Sequence, residues 1–376
     1  MEPFKNKFSP ELVRCFAFHL NRQITDFSKE AYEAEILAEL EPLELKQRAR
    51  LIADVTARHL PEDLDARFAI LRAVLHPDTG ESFDWSSDDK GICGWGVMPL
   101  SMIVSDCGMD DFEKSFDLLK DMTKRATAEF DVRPFLAADQ ERALNIMAPW
   151  TSDPNVHVRR LVSEGTRPRL PWGMRLQRLV EDPAPALPLL EALKDDPEEY
   201  VRRSVANHLN DIAKDHPDLV ADIAARWLED ADKNRQKLVR HACRSLIKQG
   251  HRATLDAFGL GAPEIQLDGP TIGNPDVQYG ETVSFSADLK STGKKPQDLV
   301  IDYVIHFKKA NGTLAPKVFK WTKTNLKAGE SLTLERAHAI KPITTRVYYG
   351  GTQAISLRIN GQDFGYCEFE LHMLVK

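Results

Sequence analysis

The sequence predicts a mainly α-helical chain closed by a β-sandwich, and three observations carry that expectation. The first is a repeat: with Asp153 set on Asp196, 43 residues later, both copies read Asp-Pro-x-x-x-Val-Arg-Arg-x-Val. That offset is the length of a HEAT-type helix pair, which cannot bury its apolar face alone and must stack on its neighbours. The second is apolar residues at helical spacing through most of the first 255 positions. The third is a change of period after Gly250, where a Gly- and Pro-rich stretch gives way to alternation. The expected architecture is therefore a HEAT-like helical-repeat solenoid over 1–258, followed by an immunoglobulin-like β-sandwich over 262–376.

Taken in order, Leu12, Phe16 and Leu20, then Leu43, Leu45, Leu51, Ile52 and Val55, mark helices between Pro10 and about Leu75. His76 to Gly96 is polar, rich in glycine and without period, which predicts a long surface loop. Helices resume near Pro99. The clearest spans Asp110 to Arg125 with Phe112, Phe116, Leu118, Leu119 and Met122, and Pro134 starts or kinks another turn.

From Asp139 the spacing predicts helices over 139–149, 155–165, 186–194, 197–214, 216–229 and 233–249, with aspartate caps and first-turn prolines at Asp196-Pro197 and His216-Pro217. A weaker third copy places Leu238-Val239-Arg240-His241 where Val-Arg-Arg stood. Past Gly250, GLGAPEIQLDGPTIGNPDVQYGE reads as a connection. Strands are then expected through Val283 to Leu289, LVIDYVIHFKK, KVFKWTK, SLTLERAHAI, TTRVYYGG, AISLRING and CEFELHML, with turns at Asn311-Gly312, Lys327-Ala328-Gly329 and Asn360-Gly361.

The formal charge of −7 speaks against a polyanionic partner until its distribution is seen. Lys plus Arg stand at 18 against 28 acids over 1–150, at 18 against 17 over 151–260 and at 14 against 12 over 261–376. Between 159 and 178 there are six arginines (Arg159, Arg160, Arg167, Arg169, Arg175, Arg178) and one acid, Glu164. Six arginines there exceed the local acids. Between 308 and 346 there are nine basic residues and two acids, a segment that includes Lys308, Lys309, Lys317, Lys320, Lys323, Lys327 and Arg346. Both stretches suit a nucleic-acid backbone.

No apolar run is long enough for a membrane span, and MEPFKNKFSPEL lacks the core of a secretory signal, so a cytoplasmic protein is expected. The five cysteines are scattered without paired spacing, the histidines lack metal-ligand spacing, and no nucleotide loop or hydrolase elbow is present. No cofactor and no metal are expected.

Glu164 is therefore conspicuous: a carboxylate on an anion-binding stretch opposes affinity, so it either partners neighbouring arginines or faces a developing positive charge. Asp211, four residues after Asn207, either bonds a loop backbone or acts with it. Trp150 and Trp172 flank the first arginine cluster, where tryptophan is more often core than ligand contact. In Gly-Thr-Arg-Pro-Arg-Leu-Pro-Trp, two prolines fix a backbone from which arginines and an indole would project.

Read together, EFDVRPFL (129–136), WTSDPNVHVRRLVSEGTRPRLPW (150–172) and DDPEEYVRRSVANHLNDIAKDHPDLV (195–220) resemble the AlkC branch of the AlkC/AlkD DNA glycosylases. The resemblance covers about residues 1–255, and some AlkC members also carry a C-terminal immunoglobulin-like domain. It implies base excision repair of alkylated double-stranded DNA: hydrolysis of the N-glycosidic bond of cationic bases such as 3-methyladenine, 3-methylcytosine and 1-methyladenine, without base flipping. It further implies catalytic positions at Glu164, Asp211, Trp172 and Glu129, and a DNA contact at Arg160.

The basic residues expected to join Arg160 on DNA are Arg159, Arg167, Arg169, Arg202, Arg203 and Lys214. A cationic base is already a good leaving group, so the demand is for a negative field at the sugar and a placed water rather than a general acid. A monomer acting at the nucleoid follows as the expectation. Two other readings stay open: a non-catalytic DNA- or protein-binding scaffold and, from the sandwich alone, a carbohydrate or cell-surface protein.

Overall fold

A computed structural model describes residues 3–77, 86–343 and 346–373. The helices are α1 (Pro10–Asn21), α2 (Lys29–Leu40), α3 (Leu45–His59), α4 (Leu64–Ala73), α5 (Val97–Cys107), α6 (Phe112–Thr123), α7 (Arg133–Ala138), α8 (Gln140–Met147), α9 (Val156–Gly165), α10 (Gln177–Glu181), α11 (Leu187–Leu193), α12 (Glu199–Ile212), α13 (Pro217–Leu228), α14 (Lys233–Ala242), α15 (Arg244–Gln249) and α16 (Arg252–Ala257). Their starts follow side-chain chemistry. Ser9, Ser28, Asp63, Asp111, Asp139 and Asn155 each accept a backbone N–H of the first turn, while Pro10 and Pro217 occupy N1, where a missing N–H costs nothing.

The chain divides into two compact units, Met1–Asp215 with Lys233–Ala242, and His216–Asp232 with Cys243–Lys376. Helix gives way to strand between Ala257 and Ile265. The packing division falls elsewhere, because α13, α15 and α16 go with the sheets. Among the described residues no helix is long and apolar enough to cross a membrane.

In the first unit α12 packs between α9 and α14. The shared motif explains itself here. The first arginine of each copy turns back on its own Asp-Pro: Arg159 Nη1 donates to the carbonyls of Asp153 and Pro154 at 2.9 and 3.1 Å, and Arg202 Nη1 donates to those of Asp196 and Pro197, the latter at 2.7 Å. Arg159 also forms a paired bridge to Asp196 of the next copy, with its Nε 2.6 Å from Oδ2. These two arginines, expected on DNA, are thus occupied in joining one copy to the next and in satisfying carbonyls ahead of the helices. Trp150 is core, 7% exposed, 5.8 Å from the Phe116 ring and under Lys120 Nζ at 5.6 Å.

Of the expected loop over 76–96, residues 78–85 lie outside those described. The rest is tied down. Leu75 bridges Ile92 in parallel, His76 N donates to Ile92 O, His19 Nε2 lies 2.7 Å from Asp88 O, and Gly94–Gly96 forms a 3-10 turn.

The second unit carries two sheets, one ordered β1-β3-β6 and one ordered β2-β8-β7-β4-β5, from β1 (Ile265–Ile272), β2 (Asp276–Gln278), β3 (Thr282–Ser291), β4 (Gln297–Lys308), β5 (Leu314–Leu326), β6 (Ser331–Ala339), β7 (Gly351–Ile359) and β8 (Gln362–His372). Val283, Phe285, Ala287 and Leu289 alternate inward from β3 to meet Ile301, Tyr303, Ile305 and Leu357 of the other sheet, which is the period-two pattern of a sandwich.

Central strand β4 is buried on both faces from Ile301 to Ile305, with Asp302 standing among Leu299, Ile301, Tyr303, Val304 and Ile305. Arg358 on neighbouring β7 donates to Lys248 O, and Gly361 lies against Gly250 and Leu255, so the last helices cover this side.

Two sequence expectations need correction. The stretch read as a connection contains β1 and β2, because IQLD with Thr271 and Ile272 pairs with β3, and DVQ pairs with β8, in spite of the surrounding glycines and prolines. TTRVYYGG is not a strand in its described part: beyond a single bridge from Ile343 to Arg346 it runs as a loop, in which Tyr348 enters the core and Arg346 lies 4.0 Å from the Phe307 ring centre.

Candidate active site

Helix α9 places the first site residues. Asn155 caps it, Val158, Leu161 and Val162 face inward, and Arg160 and Glu164 follow at i and i+4 on one side. Glu164 sits in the last turn, 5% exposed, where both burial and the negative helix end oppose a carboxylate. Its partners reverse that. Oε1 accepts from Arg167 Nη1 at 2.6 Å and lies 3.3 Å from Arg160 Nη2, while Oε2 accepts from Ser204 Oγ at 2.6 Å. Burial alone would push the Glu164 pKa up; the charges of Arg160 and Arg167 and these hydrogen bonds outweigh it and hold the pKa below the ordinary carboxylate value. A buried, ionised carboxylate results.

The other acids complete a network. Glu129 Oε2 accepts from Arg160 Nη1 and, at 2.8 Å, from Thr127 Oγ1; Asp211, 3% exposed, accepts from Arg167 Nε at 2.8 Å and from Lys214 Nζ at 3.0 Å. The ring of Tyr200 lies 5.0 Å from the Arg160 guanidinium and 6.0 Å from the His157 ring.

Beyond α9 the chain turns at Thr166, whose hydroxyl donates to Val162 O at 2.6 Å, and then folds through Pro168 to Leu176 with Gly173 N on Leu170 O and Leu176 N on Pro168 O. At the tip stands Trp172, 66% exposed, with a left-handed φ of 64°. For a residue with a Cβ, that conformation costs roughly 1–2 kcal/mol, so surrounding bonds must impose it. Lys46 Nζ donates to Trp172 O, and the Arg133 guanidinium donates to Met174 O and Gly165 O.

Glu129, Glu164, Arg167, Trp172, Tyr200 and His157 line one cleft of about 1020 Å³, whose other wall brings Lys7, Lys46, Trp95, Lys124, Arg125 and Phe130. Asp211 lies behind Arg167 and does not line it. The arginines expected to project divide into two groups. Arg160 and Arg167 turn inward onto acids, Arg167 being 7% exposed, and Arg169 holds Asp215 by two bonds of 2.7 Å. Arg175, Arg178 and Arg203 are exposed and make no ion pair among the described residues.

Arg159, Arg160, Arg167 and Arg169 do find acids, and apart from Glu164 these come from distant sequence, which counting along the chain cannot reveal. Sequence reasoning also missed Arg133, Ser204, Tyr200, His157 and Lys46. Only Ser204 carried a usable signal, standing in the second copy on a helix whose apolar neighbours face α9.

Comparison with known proteins agrees with this geometry. Residues 120–247 match the family model described as DNA alkylation repair enzyme, and residues 266–373 match the C-terminal Ig-like domain of YhaZ. YhaZ of Bacillus subtilis is 36% identical over 374 residues, covering 98% of this chain and all of that protein. The structure is similar to that of the Pseudomonas fluorescens alkylpurine DNA glycosylase AlkC bound to DNA containing an abasic site analog, with a TM-score of 0.87, 35% identity, and 99% of this chain and 100% of that chain covered. A buried carboxylate network on a helical cleft, an Ig-like β unit and whole-length similarity to AlkC and YhaZ together establish that the chain belongs to the AlkC-type family of DNA alkylation repair enzymes.

Proposed function

We propose that this protein is a DNA glycosylase that releases cationic alkylated bases, among them 3-methyladenine, 3-methylcytosine and 1-methyladenine, from duplex DNA. The observation that carries the reading is the Glu164 carboxylate, buried and held ionised at the wall of a cleft that also presents the exposed indole of Trp172. The similarity to AlkC supports it.

The chemistry follows from the charges. The leaving base is already positive, so C–N cleavage passes its electron pair to the base without a proton donor and leaves the cation on the deoxyribose. A carboxylate about 4 Å from that cation contributes roughly 4 kcal/mol at an effective dielectric near 20. Glu164 is the group placed for this, and for orienting the water that completes hydrolysis.

Trp172 lays an electron-rich face against sugar or base, worth about 1 kcal/mol. Asp211 acts through Arg167, which it orients from behind, and Glu129 holds Arg160 from the cleft wall. Neutral lesions gain little from these groups, so selectivity for cations needs no enclosing pocket and no flipped base. Phosphates fall to the exposed Arg175, Arg178 and Arg203, joined by Lys214 and the half-buried Arg169 from their bridges to Asp211 and Asp215, and Arg160 reaches a phosphate by loosening its hold on Glu129. The basic surface of the sheet unit, Lys317 and Lys320 included, adds to the DNA contact, and the protein acts as a monomer.

Incubation with duplex DNA treated with a methylating agent, followed by chromatography of the freed bases, tests the reading. Release of 3-methyladenine that disappears in Glu164→Gln is expected; DNA binding without any freed base would leave a scaffold.

A further inference from the structure

We propose that Arg133 is the positioning residue of this site: its guanidinium fixes the Trp172 indole relative to the Glu164 carboxylate. The inference rests on the glycosylase reading for its consequence, and on geometry alone for its structural part.

Arg133 is 0% exposed, the largest fully buried side chain among the described residues. Its Nη1 donates to Gly165 O at 2.8 Å, the carbonyl directly after Glu164. Its Nε donates to Met174 O at 2.6 Å and Nη2 reaches the same oxygen, two residues beyond Trp172. One planar fork thus clasps both ends of the turn that separates the carboxylate from the indole.

All of these bonds go to carbonyls, so no ion pair repays the burial directly. Desolvation and the neighbouring Arg167 charge pull the Arg133 pKa down to about 10. An apolar side chain would fill the space at less cost, whereas only guanidinium offers two parallel donors to one carbonyl and a third to another.

The clasped segment needs such a hold. Trp172 is left-handed at φ 64°, and apart from two bonds within the turn its backbone is anchored by Arg133 and by Lys46 on its own carbonyl. Gly173 makes room for the arrangement, since a Cβ there would stand 3.3 Å from Arg133 Nε and 3.0 Å from Leu170 Cδ2.

The test uses the full chain with Arg133→Lys, which keeps charge and much of the volume but cannot span the two carbonyls. Single-turnover release of 3-methyladenine is expected to fall about fivefold, the loss of the ~1 kcal/mol that the placed indole supplies, while the Kd for DNA stays within about twofold. Trp172→Ala alone should show a comparable loss. Adding Arg133→Lys to it should cost less than about a further 1.5-fold, because the two act as one unit; losses that multiply to about 25-fold would overturn the proposal.

A second measurement is independent of catalysis. In 5-fluorotryptophan-labelled protein the Trp172 resonance, assigned by its absence in Trp172→Phe, should shift or broaden in Arg133→Lys while the resonances of the other five tryptophans stay in place. An unchanged Trp172 line would also overturn the proposal. Wild-type protein that frees no base, together with a moved Trp172 line, would sink the glycosylase reading and leave the positioning role standing.

Discussion

Replacing Glu164 with glutamine removes one charge and almost no volume, and the surrounding network sets how much that matters. Three buried acids, Glu129, Glu164 and Asp211, stand among buried Arg133 and Arg167 and partly buried Arg160, so these six groups balance in charge, with the exposed Lys214 on Asp211 at their rim. In the glutamine variant the same six groups carry +1, and a sugar cation forming in the cleft meets repulsion where it met a carboxylate. The lost attraction alone is about 4 kcal/mol at 4 Å and an effective dielectric near 20, on the order of a thousandfold in rate.

The fold should tolerate the change. The amide oxygen can still accept from Arg167, and the amide nitrogen can donate to the Ser204 hydroxyl that now donates to Oε2. DNA affinity should hold or rise slightly, since a negative charge has left an anion-binding surface. Single-turnover release of 3-methyladenine from methylated duplex, with enzyme in excess, isolates the chemical step. A rate within about tenfold of wild type in a folded, DNA-binding variant would refute the assignment of Glu164.

Other outcomes follow from the same geometry. Arg202→Ala should lower stability by about 1–3 kcal/mol through two abandoned carbonyls without altering the salt dependence of DNA binding, whereas Arg203→Ala should reduce the slope of log Kd against log salt by about 0.9 and leave the melting temperature alone. Asp131, buried against Ser101 Oγ at 2.6 Å, has its pKa pushed up to about 7 by desolvation. The folded form therefore binds that proton more tightly than the unfolded chain, so stability falls as pH rises from near 4 to 7 and stays low above. Asp131→Asn should cancel this loss, stabilising the protein at pH 8 by up to about 4 kcal/mol and flattening melting temperature against pH.

His208, whose Nδ1–H donates to Ser163 O, has its pKa pulled down to about 4 by burial, so its contribution is present above pH 6.5 and is lost as pH falls toward 4. In the Asp131→Asn background, where the opposing titration is gone, a thermal scan at pH 5 that matched pH 7 would contradict that placement. On the sheet unit, Lys317→Glu with Lys320→Glu should weaken DNA binding and lower the salt slope by about 2, and an unchanged slope would remove that face from the DNA contact.

The repeat was legible because identical packing problems select identical residues. Its first arginines, Arg159 and Arg202, repeat because each helix start needs its Asp-Pro carbonyls satisfied, and sequence alone cannot tell such a cation from one awaiting phosphate. The second arginines separate the roles. Arg160 finds Glu164 one turn on and Glu129 from another element, and it is drawn inward; Arg203, 43 residues later, finds Asn207 in the place of Glu164 and stays exposed. Asn207 is instead bonded to His241 at 2.9 Å.

Arg133 and Ser204 escaped notice for a related reason: each meets Glu164 or its neighbours across 32 to 41 residues of chain, and neither repeats. Positions that the copies share thus report how one copy rests on the next, and positions where they differ are free to do chemistry. Removal of 262–376 is a poor test of the sheet unit. Because Gly361 and Asn360 lie against Gly250, Leu255 and Gly261, that cut would uncover helices packed on the sheet, and lost activity would report unfolding rather than lost DNA contact. Charge substitutions on an intact surface are the cleaner perturbation.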